Sequence, residues 1–183
     1  MRRLLKRRLL DAWTATIDED YANRRINSER SLQAAFCARL ASPSQAASQF
    51  LVVEPRVRLV DGRRVYPDVL ICSARRVVAV IELKYLPRAA PNYARDVDKL
   101  QTISSSRASL QLDNPRYLGP MPQPAPFSFS KSSLFVWAGV YRSSDSTPRP
   151  EALEIPASLS ECFFSLHALT HPEREPAVHA LSA

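Results

Sequence analysis

The segment 77–85, VVAVIELKY, is apolar at every position until Glu82. A strand that is apolar on both faces belongs in the middle of a sheet that is covered on both sides. Charged side chains at the end of such a strand lose their water, which costs several kcal/mol unless they are paired. We therefore expect Glu82 and Lys84 to satisfy other charged groups, bind a metal ion or perform chemistry.

Two further strands are predicted before this one, at residues 49–59 and 64–72. The dipeptide Asp61-Gly62 between them is a strong short-range signal for a tight hairpin turn. Together the three segments predict an antiparallel meander that leads into the buried strand.

The register of the second hairpin decides whether the charged groups meet. A turn centred near residues 74–75 would place Asp68 opposite Glu82 or opposite the residue before it. In the first case Asp68, Glu82 and Lys84 share one face of the sheet. A slip by one residue would turn Asp68 to the face of Leu83. Both registers agree with the sequence.

Helical patterns flank the meander. Asn27 or Ser28 can cap a helix over residues 29–40, and a second helix is predicted over 92–107. Glu29 lies in the first turn of the earlier helix, where the helix dipole alone favours a carboxylate. The alternative is that Glu29 points along the core-facing stripe towards the charged strand positions. An apolar run at 134–141 (LFVWAGVY) predicts a fourth strand.

The order helix, three-strand meander, helix, strand over residues 28–142 resembles the PD-(D/E)xK nuclease superfamily. Pro67-Asp68 matches its first half-motif, and Glu82-Leu83-Lys84 matches its second. The resemblance implies an α/β, restriction-endonuclease-like fold, with a four-stranded mixed sheet flanked by helices. Glu29 lies where many members carry a further acidic residue.

The resemblance also implies a chemistry for these residues. Asp68, Glu82 and the backbone carbonyl of Leu83 would bind Mg²⁺ or Mn²⁺, which neutralises charge during phosphodiester hydrolysis. Glu29 would bind a second ion or a water molecule. Lys84 would orient the attacking water or stabilise developing negative charge. The catalytic set is therefore Asp68, Glu82, Lys84 and Glu29.

The composition suits a single core with additions at both ends. Residues 1–27 predict a basic amphipathic helix packed on the core, and residues 28–143 contain the core with a proline-rich loop at 110–133. Residues 144–183 are expected to form a linker, a helix at 157–169 and a tail.

The 25 Lys and Arg residues exceed the 18 Asp and Glu residues, giving a net charge of +7 that favours a polyanionic partner.

Several basic or polar side chains are candidates for nucleic-acid contacts, with solvated surface as the alternative for each. They are Arg3, Arg7, Lys99, Gln101 and Lys131. The spacing of Asp96 and Lys99 predicts a solvent-side ion pair on the second helix of the core.

The leading hypothesis is a Mg²⁺-dependent nuclease that hydrolyses DNA, with a homodimer or a recruiting protein as a further partner. The second is a non-catalytic nucleic-acid-binding or assembly module with the same fold. The third is a basic α/β interaction protein in which the charged cluster is only structural.

Three separated cysteines without a CxxC pair fit a reducing cytoplasm, and the sequence predicts no membrane span.

Overall fold

The computed structural model describes residues 2–41, 49–106, 110–113, 126–145, 147–148 and 154–182. The helices in these ranges are α1 (Arg2–Ala15), α2 (Glu29–Leu40) and α3 (Ala94–Ser105), and a π-helical segment (Thr16–Tyr21) follows α1. The strands in these ranges are β1 (Gln49–Val53), β2 (Arg56–Arg58), β3 (Arg64–Val65), β4 (Val69–Ser73), β5 (Arg76–Leu86), β6 (Leu110–Asp113), β7 (Pro126–Arg142), β8 (Phe163–His171) and β9 (Arg174–Ser182).

The strands form one mixed sheet that branches at the long strand β7. The main part has the order β1-β4-β5-β7-β8-β9, in which β5 and β7, and β7 and β8, run parallel. The first half of β7 pairs with β6, which continues into β2 and β3. The prediction of a mixed α/β sheet flanked by helices is confirmed, but the described residues form nine strands and not four.

Helices cover both faces of the main sheet. Leu9 and Trp13 of α1 and Phe36 of α2 are buried in one hydrophobic cluster, and Trp13 meets Phe36 edge to face at 5.4 Å between ring centroids. On the other face, Val97 and Leu100 of α3 pack in a second cluster. The small sheet β2-β3-β6 covers part of this second face. Within the described ranges, no helix is long and apolar enough to cross a membrane.

Two of the predicted strands are each divided in two. Segment 49–59 breaks at Glu54, whose φ of 47° lies in the left-handed region, so that β1 and β2 belong to different parts of the sheet. Segment 64–72 breaks around Pro67, which has no N–H to donate to a ladder. The predicted turn at Asp61-Gly62 is confirmed, because the Leu59 N–H donates to the Arg63 carbonyl at 2.8 Å.

The helix predicted at residues 157–169 is wrong, as is the prediction of a tail after it. β8 pairs with β7 and β9 pairs with β8, so this part of the chain extends the sheet. Residues 163–170 are buried without interruption, which a strand covered on both faces achieves and a surface helix does not.

The predicted loop at 110–133 is also wrong at its ends, which form β6 and the start of β7. Its middle, residues 114–125, lies outside the described residues.

A β-bulge fixes the register between β4 and β5. Cys72 lies opposite Val77, but Ile71 lies opposite Ala79, so Val78 is an extra residue in β5. Alternation of side chains along a strand reverses at such a point. Val78 and Ala79 accordingly both face the cluster formed with α1 and α2, although they are neighbours in sequence.

Gly139 in β7 leaves room for the Trp137 indole, which is fully buried and lies against Tyr93 at 4.8 Å between ring centroids. A methyl group at position 139 would overlap this ring. We expect Gly139→Ala to lower the free energy of unfolding by about 1–3 kcal/mol, because the ring has no free space to move into.

Chemical denaturation of Gly139→Ala measures this cost. Trp137→Leu supplies the control, because its smaller side chain removes the overlap. The interpretation fails if Gly139→Ala costs the same in the wild-type and Trp137→Leu backgrounds.

Candidate active site

Glu82 is the centre of a charged cluster at the end of β5. Its side chain is only 1% exposed, and its Oε2 atom accepts a hydrogen bond from the ammonium group of Lys99 on α3. The Oε1 atom is buried and has no hydrogen-bond partner in the described structure. The Lys99 ammonium group also donates to the backbone carbonyl of Tyr66 at 3.3 Å. Glu82 therefore keeps one oxygen with unused bonding capacity.

Asp68 lies one residue before β4, on the α3 side of the sheet. Since Val69 is opposite Ile81, continuing the register places Asp68 opposite Glu82. The Leu83 N–H donates to Asp68 Oδ2 at 2.6 Å, and the side-chain amide of Gln33 on α2 donates to the Asp68 carbonyl at 3.0 Å. Both hydrogen bonds hold this residue in place where β4 begins.

Burial disfavours negative charge on both carboxylates. Burial raises the pKa of Glu82 to about 8, and the charge of Asp68 adds to this effect, while Lys99 opposes it. Burial also raises the pKa of Asp68, against the opposing effects of the Leu83 N–H and Lys99. The pair would gain from a further positive charge between its members.

Lys84 lies on the same face as Glu82 but contacts different partners. Its Nζ atom is 3.3 Å from Asp96 Oδ2 and 3.9 Å from Glu29 Oε2. Asp96 is buried on α3 and also accepts a hydrogen bond from Trp137 Nε1 at 3.2 Å. Glu29 accepts a hydrogen bond from the Tyr85 N–H at 3.2 Å.

The structure thus brings together all four residues of the predicted catalytic set and adds two from α3. The predicted solvent-side pair of Asp96 and Lys99 is wrong, because each contacts a different residue of β5. Sequence reasoning missed the role of Asp96. The signal was its place beside Val97 and four residues before Leu100, on the stripe that α3 buries.

The other predicted nucleic-acid contacts do not gather around the cluster. Arg3 and Arg7 are exposed on α1, which packs on the opposite face of the sheet from α3. Lys131 is exposed on β7, and its carbonyl accepts a hydrogen bond from Arg2. Gln101 is half-buried on α3.

The donor set fits a hard divalent ion that keeps most of its water. In the described part of the chain, no group of three or more His, Cys, Asp or Glu side chains is arranged to hold a metal. Mg²⁺ is bound in many sites by one or two carboxylates and several waters. The paired carboxylates of Asp68 and Glu82, with the buried Oε1 atom lacking a partner, meet that requirement.

No family model matches the chain, and no curated protein matches it. Among solved structures, it is similar to a chain described as "cryoEM structure DrdV-DNA complex", with a TM-score of 0.39 and 17% identity. The similarity covers 64% of this chain and 12% of that chain. A TM-score at this level does not establish a shared fold, so we base the function on the geometry of the cluster.

The raised pKa of Glu82 predicts a pH-dependent stability. Between pH 4.5, its ordinary value, and about pH 8, the folded protein holds a proton that the unfolded chain has released. The free energy of unfolding should therefore fall as pH rises through this window, by up to about 1.4 kcal/mol per pH unit.

Denaturation of wild type and Glu82→Gln at several pH values measures the effect. The difference in stability between the two proteins should change steadily from pH 5 to pH 8, since the variant cannot titrate. A constant difference would show that Glu82 is ionised in the folded protein throughout this range.

Proposed function

We propose that the protein is a metal-dependent nuclease of restriction-endonuclease-like fold that hydrolyses phosphodiester bonds in DNA. One observation carries the proposal, namely the convergence of Asp68 and Glu82 where the pairing of β4 with β5 stops, with an unpartnered buried oxygen. Most buried polar side-chain atoms in folded proteins have a hydrogen-bond partner, so a buried carboxylate oxygen without one supports a role beyond stabilising the fold.

The metal ion, Mg²⁺ or Mn²⁺, would be held by Asp68, Glu82 and the backbone carbonyl of Leu83. The N–H and C=O of a strand residue project to the same edge, and the Leu83 N–H points to Asp68. The carbonyl is therefore on the side where the carboxylates meet. When bound, such an ion supplies charge neutralisation and activates water.

Lys84 would provide positive charge beside the reacting phosphate. Asp96 and Glu29 hold its ammonium group from two helices, so its position is set before any substrate arrives. Preorganised charge of this kind stabilises developing negative charge without a reorganisation cost. Lys99 contacts Oε2 of Glu82, so the metal ion would bind at the free Oε1 atom.

The second candidate is a nucleic-acid-binding module that does not cleave. The contact between Lys99 and Glu82 favours it, because an internal ammonium group already neutralises one of the two carboxylates. The two functions differ in whether a divalent ion binds between the two carboxylates.

Cleavage assays with Mg²⁺ or Mn²⁺ on plasmid, linear and single-stranded DNA, and on RNA, test the proposal. We expect wild type to cleave DNA, and Asp68→Asn, Glu82→Gln and Lys84→Ala each to reduce the rate by about 100-fold or more, as loss of a charge-stabilising group does.

Asp11→Asn is the matched control, because it makes the same chemical change at an exposed position on α1. It should cleave like wild type, and circular dichroism should show all variants folded. Cleavage that survives Asp68→Asn would contradict the proposal, and DNA binding without cleavage by wild type would support the second candidate.

A further inference from the structure

The small sheet β2-β3-β6 has one buried face and one charged face. Val57 is paired with Val65 and Leu112, and Val57 and Leu112 are buried in the cluster beneath α3. The alternate row points outwards and contains Arg64, Arg58 and Gln111, which are directly opposed and exposed. We call these three residues, together with Tyr66, the hairpin face.

The row contains two arginines that lie directly opposite each other. Like charges directly opposed on neighbouring strands are destabilising, and Arg58 faces Arg64 across the hairpin. Neighbouring strands are about 4.8 Å apart, so the row presents donor groups over about 10 Å. That arrangement suits a chain of phosphates.

The hairpin face is close to the charged cluster along the chain. Arg64 is four residues before Asp68, so their Cα atoms are at most about 13 Å apart along an extended chain. Tyr66 lies between them, with 56% of its surface exposed. Its carbonyl accepts a hydrogen bond from Lys99, whose ammonium group also contacts Glu82.

We propose that the hairpin face binds the DNA backbone next to the reacting phosphate. Arg58 and Arg64 contact phosphates and Tyr66 stacks on a base or sugar, as aromatic side chains beside basic ones do. The distance from Arg64 to Asp68, at most about 13 Å, corresponds to about four nucleotides at 3.4 Å per nucleotide. The inference takes DNA as the partner from the proposed function, but it does not require cleavage.

Fluorescence anisotropy with short duplex and single-stranded DNA in EDTA tests this binding without catalysis. We expect the double variant Arg58→Gln/Arg64→Gln to bind about tenfold more weakly at roughly 0.1 M salt, with the slope of log affinity against log salt reduced by about two. Tyr66→Ala should weaken binding to single-stranded DNA more than Tyr66→Phe does.

The matched control is Arg75→Gln/Arg76→Gln, which removes the same charge from the exposed turn between β4 and β5. Arg76 is six residues from Glu82 on β5, or about 20 Å. This variant should keep most of the wild-type affinity. Equal losses in both double variants, wild-type binding by Arg58→Gln/Arg64→Gln, or no binding by wild type would each overturn the inference. Arginine-dependent binding in a protein that does not cleave would uphold it and reject the nuclease.

Discussion

The extra residue Val78 in β5 is the constraint on which the charged cluster depends. The turn alone sets Ser73 opposite Arg76, and that register would continue to Asp68 opposite Ile81. The bulge advances β5 by one residue, so Asp68 meets Glu82 on the face that α3 covers. A change of one residue in one strand therefore decides whether two carboxylates share a site or point to opposite sides of the sheet.

The helices then determine how the cluster is neutralised. From α3, Lys99 contacts Glu82 and Asp96 contacts Lys84, so these two charged residues of β5 have partners one turn apart on the same helix. Glu29 on α2 is a second carboxylate partner of Lys84. The arrangement leaves a buried oxygen without a partner and a raised Glu82 pKa, and both agree with the proposed binding of a further cation.

Local signals in the sequence were sufficient where the chain determines its own structure. Ser28, one of the two predicted caps, caps α2, and its capping bonds lie within one turn of sequence. Val78 could not be recognised as a bulge, because no glycine or other local signal marks it. β8 was mistaken for a helix because Leu159, Phe163 and Leu166 have helical spacing, and only pairing with β7 makes the segment a strand. The acidic and basic residues of β5 were recognisable, but their partners on α3 depend on packing.

The proposed function requires that Asp68 and Glu82 bind one divalent ion together. Crystals soaked in Mn²⁺ test it most directly, because manganese gives an anomalous signal at its own position. We expect one anomalous peak within about 2.5 Å of carboxylate oxygens from both residues. Clear density for the contact between Lys99 and Glu82, with no manganese between the two carboxylates at saturating Mn²⁺, would contradict it.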